Sequence, residues 1–225
     1  MVTTDFPTDV KALQAVLRSI DAVSCPQTYN FHLHTLYSDG RLQPQQLIQQ
    51  AIDSGLKSLA ITDHHSVEGY WLATDYLQSQ GQRIDQPLPQ LWSGIEITAL
   101  LLNTQVHILG YGFDPNHPAL HLYRQGSAPQ GDQAEGEQVI QAIHQAGGLA
   151  VLAHPARYRR PAQELIPAAV LLGIDGIETF YCYGHSDPWQ PSSLETAVMS
   201  ELASQYDLVQ TCGTDTHGLD IHRRL

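Results

Sequence analysis

Short apolar segments alternate with amphipathic stretches along almost the whole chain, and most of the apolar segments run out on a histidine or a carboxylate. The apolar segments Asn30–His34, Ser58–Ile61, Leu91–Thr98, the stretch carrying His107 up to Gly112, Leu149–Ala153, Asp175–Phe180 and Leu208–Cys212 are short enough to be strands. Between them lie helical patterns. Pro44 suits the first turn of one and Gly55 its end, with Leu47, Ile48, Ala51 and Ile52 on one face. Further helices are expected over Tyr70–Ser79, Glu137–Ala146, Ala162–Leu172 and Ser193–Gln205. Strand, helix, strand, repeated about seven times, is the pattern of a parallel sheet. In such folds the polar residues just beyond the C-terminal strand ends build the site.

That rule collects a specific set. His32 and His34 are two apart in an extended segment, so both imidazoles face one way while Phe31 and Leu33 face the other. Asp39 follows in a Ser-Asp-Gly turn, then Asp63 and His64, Glu96, His107, His154, and finally Asp215 and His217. Each has a bland reading by itself: His64 as a helix cap, His154 before Pro155 as a turn residue, Glu96 as an arginine's partner. Together they are harder to place without ions, because so many polar groups gathered at one end of a sheet would leave many unsatisfied. Imidazoles and carboxylates in combination suit zinc, manganese or iron.

Composition narrows the classes further. Hydrophobic residues make up 42% of 225, ordinary for one folded domain with an appendage. No apolar run is long enough to span a membrane, and the N-terminus has neither a basic nor an apolar leader region, so the cytoplasm is expected. Cys25, Cys182 and Cys212 form no C-x-x-C pair, which disfavours a disulfide framework or a thiolate zinc site. The net charge of −12, from 23 acids against 11 bases, disfavours duplex DNA as a partner. Residues 1–28 are expected to form an extension with one helix, from about Asp9 to Asp21, capped by Thr8 or Asp9 and packed on a main domain of residues 29–225. The segment Asp114–Gly136, rich in Gly, Gln and Pro, is expected to be a loop with little regular structure.

The segments HLHTLYSDG (32–40), ITDHHS (61–66), GIEI (94–97), VHILGYG (106–112), LAHPAR (152–157) and GTDTH (213–217) resemble, in order, those of the PHP (polymerase and histidinol phosphatase) metallophosphoesterases. The run His154-Pro155-Ala156-Arg157-Tyr158 is similar to that of the bacterial branch containing nucleoside-bisphosphate phosphatases and short-RNA 5′-exonucleases. The resemblance implies an α/β fold, a distorted (β/α)7 barrel with its metal site at the C-terminal ends of the strands. It implies three divalent metal ions (Mn²⁺, Fe²⁺ or Zn²⁺): the first held by His32, His34, Glu96 and Asp215, the second by Glu96, His107 and His154, the third by Asp39, His64 and His217. Asp63 is expected to orient its neighbours rather than bind metal.

The implied chemistry is phosphoester hydrolysis by a metal-activated hydroxide, on a small phosphomonoester or a short nucleotide. Arg157 is the candidate phosphate clamp, because a planar guanidinium suits bidentate contact. Arg159 and Arg160 read as a solvated face. His65 and His185 are candidate proton donors to the leaving group, each with an equally ready surface or core role. Two departures from the family's longer members stand out: no helical insertion lies between the His107 and His154 segments, and little chain follows His217. A more open site is expected, and the N-terminal helix is a candidate substitute for a closing segment. The alternatives are a histidinol-phosphate-type phosphatase and a non-catalytic metal- or partner-binding module on the same fold. Oligomeric state is left open.

Overall fold

The computed structural model describes residues 9–81, 87–184 and 186–225. Three short parallel strands, β1 (Tyr29–Asn30), β2 (Ser58–Ala60) and β3 (Gln90–Trp92), form one sheet in that order. Five more, β4 (Gly94–Leu101), β5 (Thr104–Tyr111), β6 (Leu149–Leu152), β7 (Gly176–Phe180) and β8 (Val209–Cys212), form a second sheet in sequence order. The helices are α1 (Val10–Leu17), α2 (Pro44–Asp53), α3 (Glu68–Gln80), α4 (Gly136–Gln145), α5 (Ala162–Leu171) and α6 (Ser193–Gln205).

The two sheets meet at two seams. At one, Leu33 bridges Thr216 in parallel, supported by Phe31 N–H donating to Cys212 O at 2.9 Å and Asp215 N–H to His32 O at 2.9 Å. At the other, His64 bridges Glu96, and His65 N–H donates to Glu96 O at 3.0 Å. Residues that would have continued β1 are thus shared between sheets, so the expected strand Asn30–His34 keeps a regular ladder only at Tyr29–Asn30.

An all-parallel sheet is corrected at β5. Only Leu102 and Asn103 separate β4 from β5, and Leu101 pairs directly with Thr104. Two residues cannot make a crossover, so β4 and β5 form a hairpin, and β5 is also antiparallel to β6. Parallel pairing resumes from β6 to β8. The expected strand Leu91–Thr98 is broken at Ser93, where β3 pairs with β2 and β4 turns to β5. Gly94 permits the break: a Cβ there would sit 2.3 Å from Ile61 O.

α1 starts one residue after Asp9, whose carboxylate accepts from the Lys11 and Ala12 amides at 3.1 Å. Thr8, the other expected cap, lies outside the described residues, as does part of the polar loop expected over Gln82–Gln90. Leu13, Leu17 and Ile20 are buried in a cluster with Phe31, Trp92, Tyr111, Val151 and Phe180, so the helix shares the core of both sheets. Cys25, Cys182 and Cys212 are free and buried. The segment 114–136 is more ordered than its composition implies: it forms three 3-10 turns, at Pro118–Leu120, Leu122–Arg124 and Gly131–Ala134. Leu120 and Tyr123 anchor it in the core that α4 shares with β4 and β5. Apolar anchors, not backbone propensity, decide its course. No helix among the described residues is long and apolar enough to cross a membrane.

Candidate metal centre

Every expected ligand position comes to one end of the two sheets. His32 and His34 are fully buried and point the same way, their rings 5.1 Å apart. Both reach Glu96 of β4, His32 Nε2 at 3.0 Å and His34 Nε2 at 3.1 Å from Oε2. Both also reach Asp215 Oδ1, at 3.4 and 3.2 Å. The second Glu96 oxygen faces His107 Nδ1 at 2.7 Å and His154 Nε2 at 3.4 Å. At the rim, Asp39 lies 3.0 Å from His217 Nε2, 3.6 Å from His34 Nδ1 and 3.8 Å from His64 Nε2.

Three sets of side chains bring donor atoms within 4.8 Å of one another: His32, His34, Glu96 and Asp215; His34, Asp39, His64 and His217; and His64, Glu96 and His107. The first coincides with the expected set. The second adds His34 to the expected Asp39, His64 and His217. In the third, His64 stands where His154 was expected, although His154 still faces Glu96.

The donor set fits divalent cations. His34 Nε2, His64 Nδ1 and His154 Nε2 are buried without a well-directed hydrogen bond, although they lie 3.1, 3.6 and 3.4 Å from Glu96 oxygens. Lone pairs converging on shared space give that arrangement; donors aimed at acceptors do not. Protonation also suits ligation. Burial lowers the pKa of His64 to about 4 and lowers that of His154, which keeps both imidazoles neutral. Burial opposes ionisation of Glu96 and Asp215, but the imidazoles beside them outweigh it and hold both carboxyls well below the usual range. The same carboxylates, helped by Glu178, hold His32 well above its ordinary value against the burial that would lower it.

The supporting contacts are specific. Asp63 accepts from Thr35 N–H at 2.6 Å, Thr35 Oγ1 at 2.7 Å and Ser38 Oγ at 2.8 Å, so it fixes the turn that carries Asp39. Sequence reasoning missed three residues. Glu178, fully buried in β7, accepts from His32 Nδ1 and from the His154 amide, both at 2.9 Å. Tyr181 donates to Asp215 Oδ2 at 2.7 Å, and Arg224 Nε donates to the same oxygen at 2.9 Å. An acid inside an otherwise apolar strand was a readable signal for Glu178. Nothing in the local pattern singled out Tyr181 or Arg224.

Arg157 reaches the cluster, its Nη1 lying 3.3 Å from Asp215 Oδ2. Arg160 turns away to Thr104 Oγ1 at 3.2 Å and Glu164 Oε2 at 2.5 Å, and Arg159 is exposed. His65 is buried behind His64, with Nε2 3.1 Å from Thr98 Oγ1. His185 lies outside the described residues. α1 does not close the site. The residues after His217 fold back to it instead.

Fold and site together define a metal-dependent phosphoesterase. The sequence profile of the PHP domain matches residues 30–161, and the chain belongs to that family. Among curated relatives it is similar to the 5′-3′ exoribonuclease Rnm of Salmonella typhimurium, 25% identical across 84% of this chain and 85% of that one. That alignment runs over 260 positions, more than the 225 residues here, so the relative carries residues this chain lacks. A shorter stretch, 91 residues or 40% of this chain and 30% of the relative, is 34% identical to the 3′,5′-nucleoside bisphosphate phosphatase of Chromobacterium violaceum. Among solved structures, an amidohydrolase from Chromobacterium violaceum with bound sulfate superposes with a TM-score of 0.71 at 22% identity, over 87% of this chain and 90% of that one.

Proposed function

We propose that this protein hydrolyses a small phosphomonoester or a short nucleotide, with His32, His34, Asp39, His64, Glu96, His107, His154, Asp215 and His217 holding up to three divalent ions. The observation that carries this is the buried quartet His32, His34, Glu96 and Asp215, flanked by two further donor sets that share His34, His64 and Glu96 with it or with each other. Ions bound there supply a Lewis acid that acidifies water near neutral pH and neutralises phosphate oxygens. The chain's own residues do the rest. Glu178 takes the Nδ1 proton of His32 as a hydrogen bond, which leaves Nε2 with its lone pair toward Glu96 and Asp215. Asp63 pins the Asp39 turn through Thr35 and Ser38. Arg157, part-exposed beside Asp215, presents its free guanidinium edge to a phosphate oxygen.

We read the two sheets as one distorted (β/α)7-type barrel formed by residues 29–225, with residues 1–28 as an extension. The two seams support that reading. The names of the relatives support nucleotides as the substrate class, and the extra residues those relatives carry support a more open site here.

The test is release of inorganic phosphate with added Mn²⁺ from p-nitrophenyl phosphate, AMP, 3′,5′-bisphosphoadenosine, histidinol phosphate and a 5′-phosphorylated trinucleotide. Turnover of a nucleotide is expected, falling about 100-fold or more in His34→Ala and Asp215→Ala while circular dichroism stays native. Silence across the panel in metal-loaded protein overturns the enzymatic reading.

A further inference from the structure

Asp215 has two differently used oxygens. Oδ1 faces the imidazoles of His32 and His34. Oδ2 accepts from Tyr181 Oη at 2.7 Å, Arg224 Nε at 2.9 Å and Arg157 Nη1 at 3.3 Å. Two guanidiniums therefore share one carboxylate oxygen at the edge of the donor cluster. A guanidinium carries five N–H donors. Among the described residues, no other side-chain nitrogen of either arginine has a hydrogen bond to protein. Arg224 also lines a cavity of about 210 Å³ with Cys182, Trp189 and Arg223, so its outer edge opens on space.

Arg224 is held there by a built segment. His217 N–H donates to Arg224 O at 2.6 Å, and Thr216 Oγ1 donates to Arg223 O. Ile221 is fully buried; its carbonyl accepts from Asn30 Nδ2 and Thr214 Oγ1, and its amide donates to Gln50 Oε1 at 3.0 Å. The segment 217–225 is thus tied to β1, α2 and the last ligand loop, and only 18% of the Arg224 side chain is exposed against 44% for Arg157.

We propose that Arg224 and Arg157 form a two-guanidinium cradle for a dianionic phosphate, which selects a terminal phosphomonoester over a phosphodiester. The inference rests on the reading of the cluster as a phosphoesterase site. One carboxylate oxygen cannot match two guanidiniums, and Asp215's other oxygen is engaged with the imidazoles. A monoester offers two charges and three free oxygens, enough to accept from both arginines. A diester offers one charge and two. Arg224 is then a substrate-binding residue, and its hydrogen bond to Asp215 keeps it in position between turnovers.

The test uses Arg224→Gln and Arg224→Lys in the full chain. Calorimetric binding of inorganic phosphate to chelator-treated protein is expected to weaken about tenfold in Arg224→Gln, the size of one lost charge-assisted contact, and less in Arg224→Lys. With metal restored, KM for p-nitrophenyl phosphate is expected to rise about tenfold while KM for bis-p-nitrophenyl phosphate and both kcat values move little. Equal losses on both esters together with reduced metal content would overturn the cradle and leave Arg224 as a brace for Asp215. So would unchanged phosphate binding in both variants. If Arg224→Gln does not fold, Arg224→Lys decides by the same two readouts. Phosphate binding that depends on Arg224 in a wild-type protein that turns over neither ester would instead sink the phosphoesterase reading and keep the anion site.

Discussion

His32 makes its two contacts through different nitrogens, Nδ1 to Glu178 at 2.9 Å and Nε2 to Glu96 at 3.0 Å. Removing the Glu178 charge frees the ring to turn and to adopt the other tautomer. Glu178→Gln is expected to weaken metal binding about 10- to 100-fold with the fold intact, measured by competition with a chromogenic chelator. Unchanged affinity would show that packing alone orients His32. Strand-end reading found the nine donors because each lies just past, or at the end of, an apolar segment. It missed Glu178 because that side chain lies inside a strand, and it missed Arg224 because no periodic element carries it. A second residue-level prediction lies outside the site. His144 Nε2 of α4 is 2.7 Å from Asp175 Oδ2, and that hydrogen bond raises the His144 pKa against the burial that would lower it. A raised histidine pKa means stabilisation fully present below the unfolded value of about 6.5 and lost as pH climbs through the folded value. His144→Gln is therefore expected to lower Tm at pH 6 and to match wild type by about pH 9. The effect should stay at or below about 0.5 kcal/mol, because both partners are part-exposed and screened. Equal Tm loss at both pH values would sink the ion-pair account.

Elements reach their places here through close backbone approaches as much as through apolar faces. Gly213, just after β8, lies so near β1's continuation that a Cβ would fall 2.2 Å from His32 Cβ and 2.5 Å from its amide nitrogen. Those obstacles are backbone or its first side-chain atom, so a methyl group cannot be absorbed by a rotamer change. Gly213→Ala is expected to cost about 1–3 kcal/mol in urea unfolding, the usual price of overpacking, and to displace His32 from Glu96 and Asp215. A stability loss without any loss of metal affinity would mean that the His32 segment moves as a rigid unit with its partners. The same geometry explains what the sequence left unread at this scale. The period of apolar residues located the strands and helices to within a few residues, but it carries no information about which edges touch. The β4–β5 hairpin was foreshadowed by the Asn103-Thr104 turn signal, yet its antiparallel consequence follows only from the pairing of Leu101 with Thr104. The break at Ser93 depends on Ile61 O lying beside Gly94, a contact between segments more than thirty residues apart.

Across the whole molecule, the donors straddle both seams. His32 and His34 stand on one side of the Leu33–Thr216 bridge, and Asp215 and His217 on the other. His64 and Glu96 are themselves the two sides of the second bridge. Each bridge is a single pairing supported by a few backbone hydrogen bonds, whereas the β4–β5 ladder runs through eight pairs. Ions held by these side chains would therefore fasten the two sheets where the backbone fastens them least. Chelation should then do more than lower Tm. At a free metal concentration a hundred times Kd, linkage amounts to about 2.7 kcal/mol, and its loss should be concentrated at the seams. Hydrogen exchange is expected to speed up at the amides of Phe31, His34, His65 and Asp215 after chelation, because each donates across a seam. The amides inside the β4–β5 ladder should change far less, since their partners do not depend on the donor cluster. Acceleration spread evenly over both groups would mean that ions stabilise only the global fold. No acceleration at all would mean that the buried imidazole–carboxylate contacts hold the sheets together unaided.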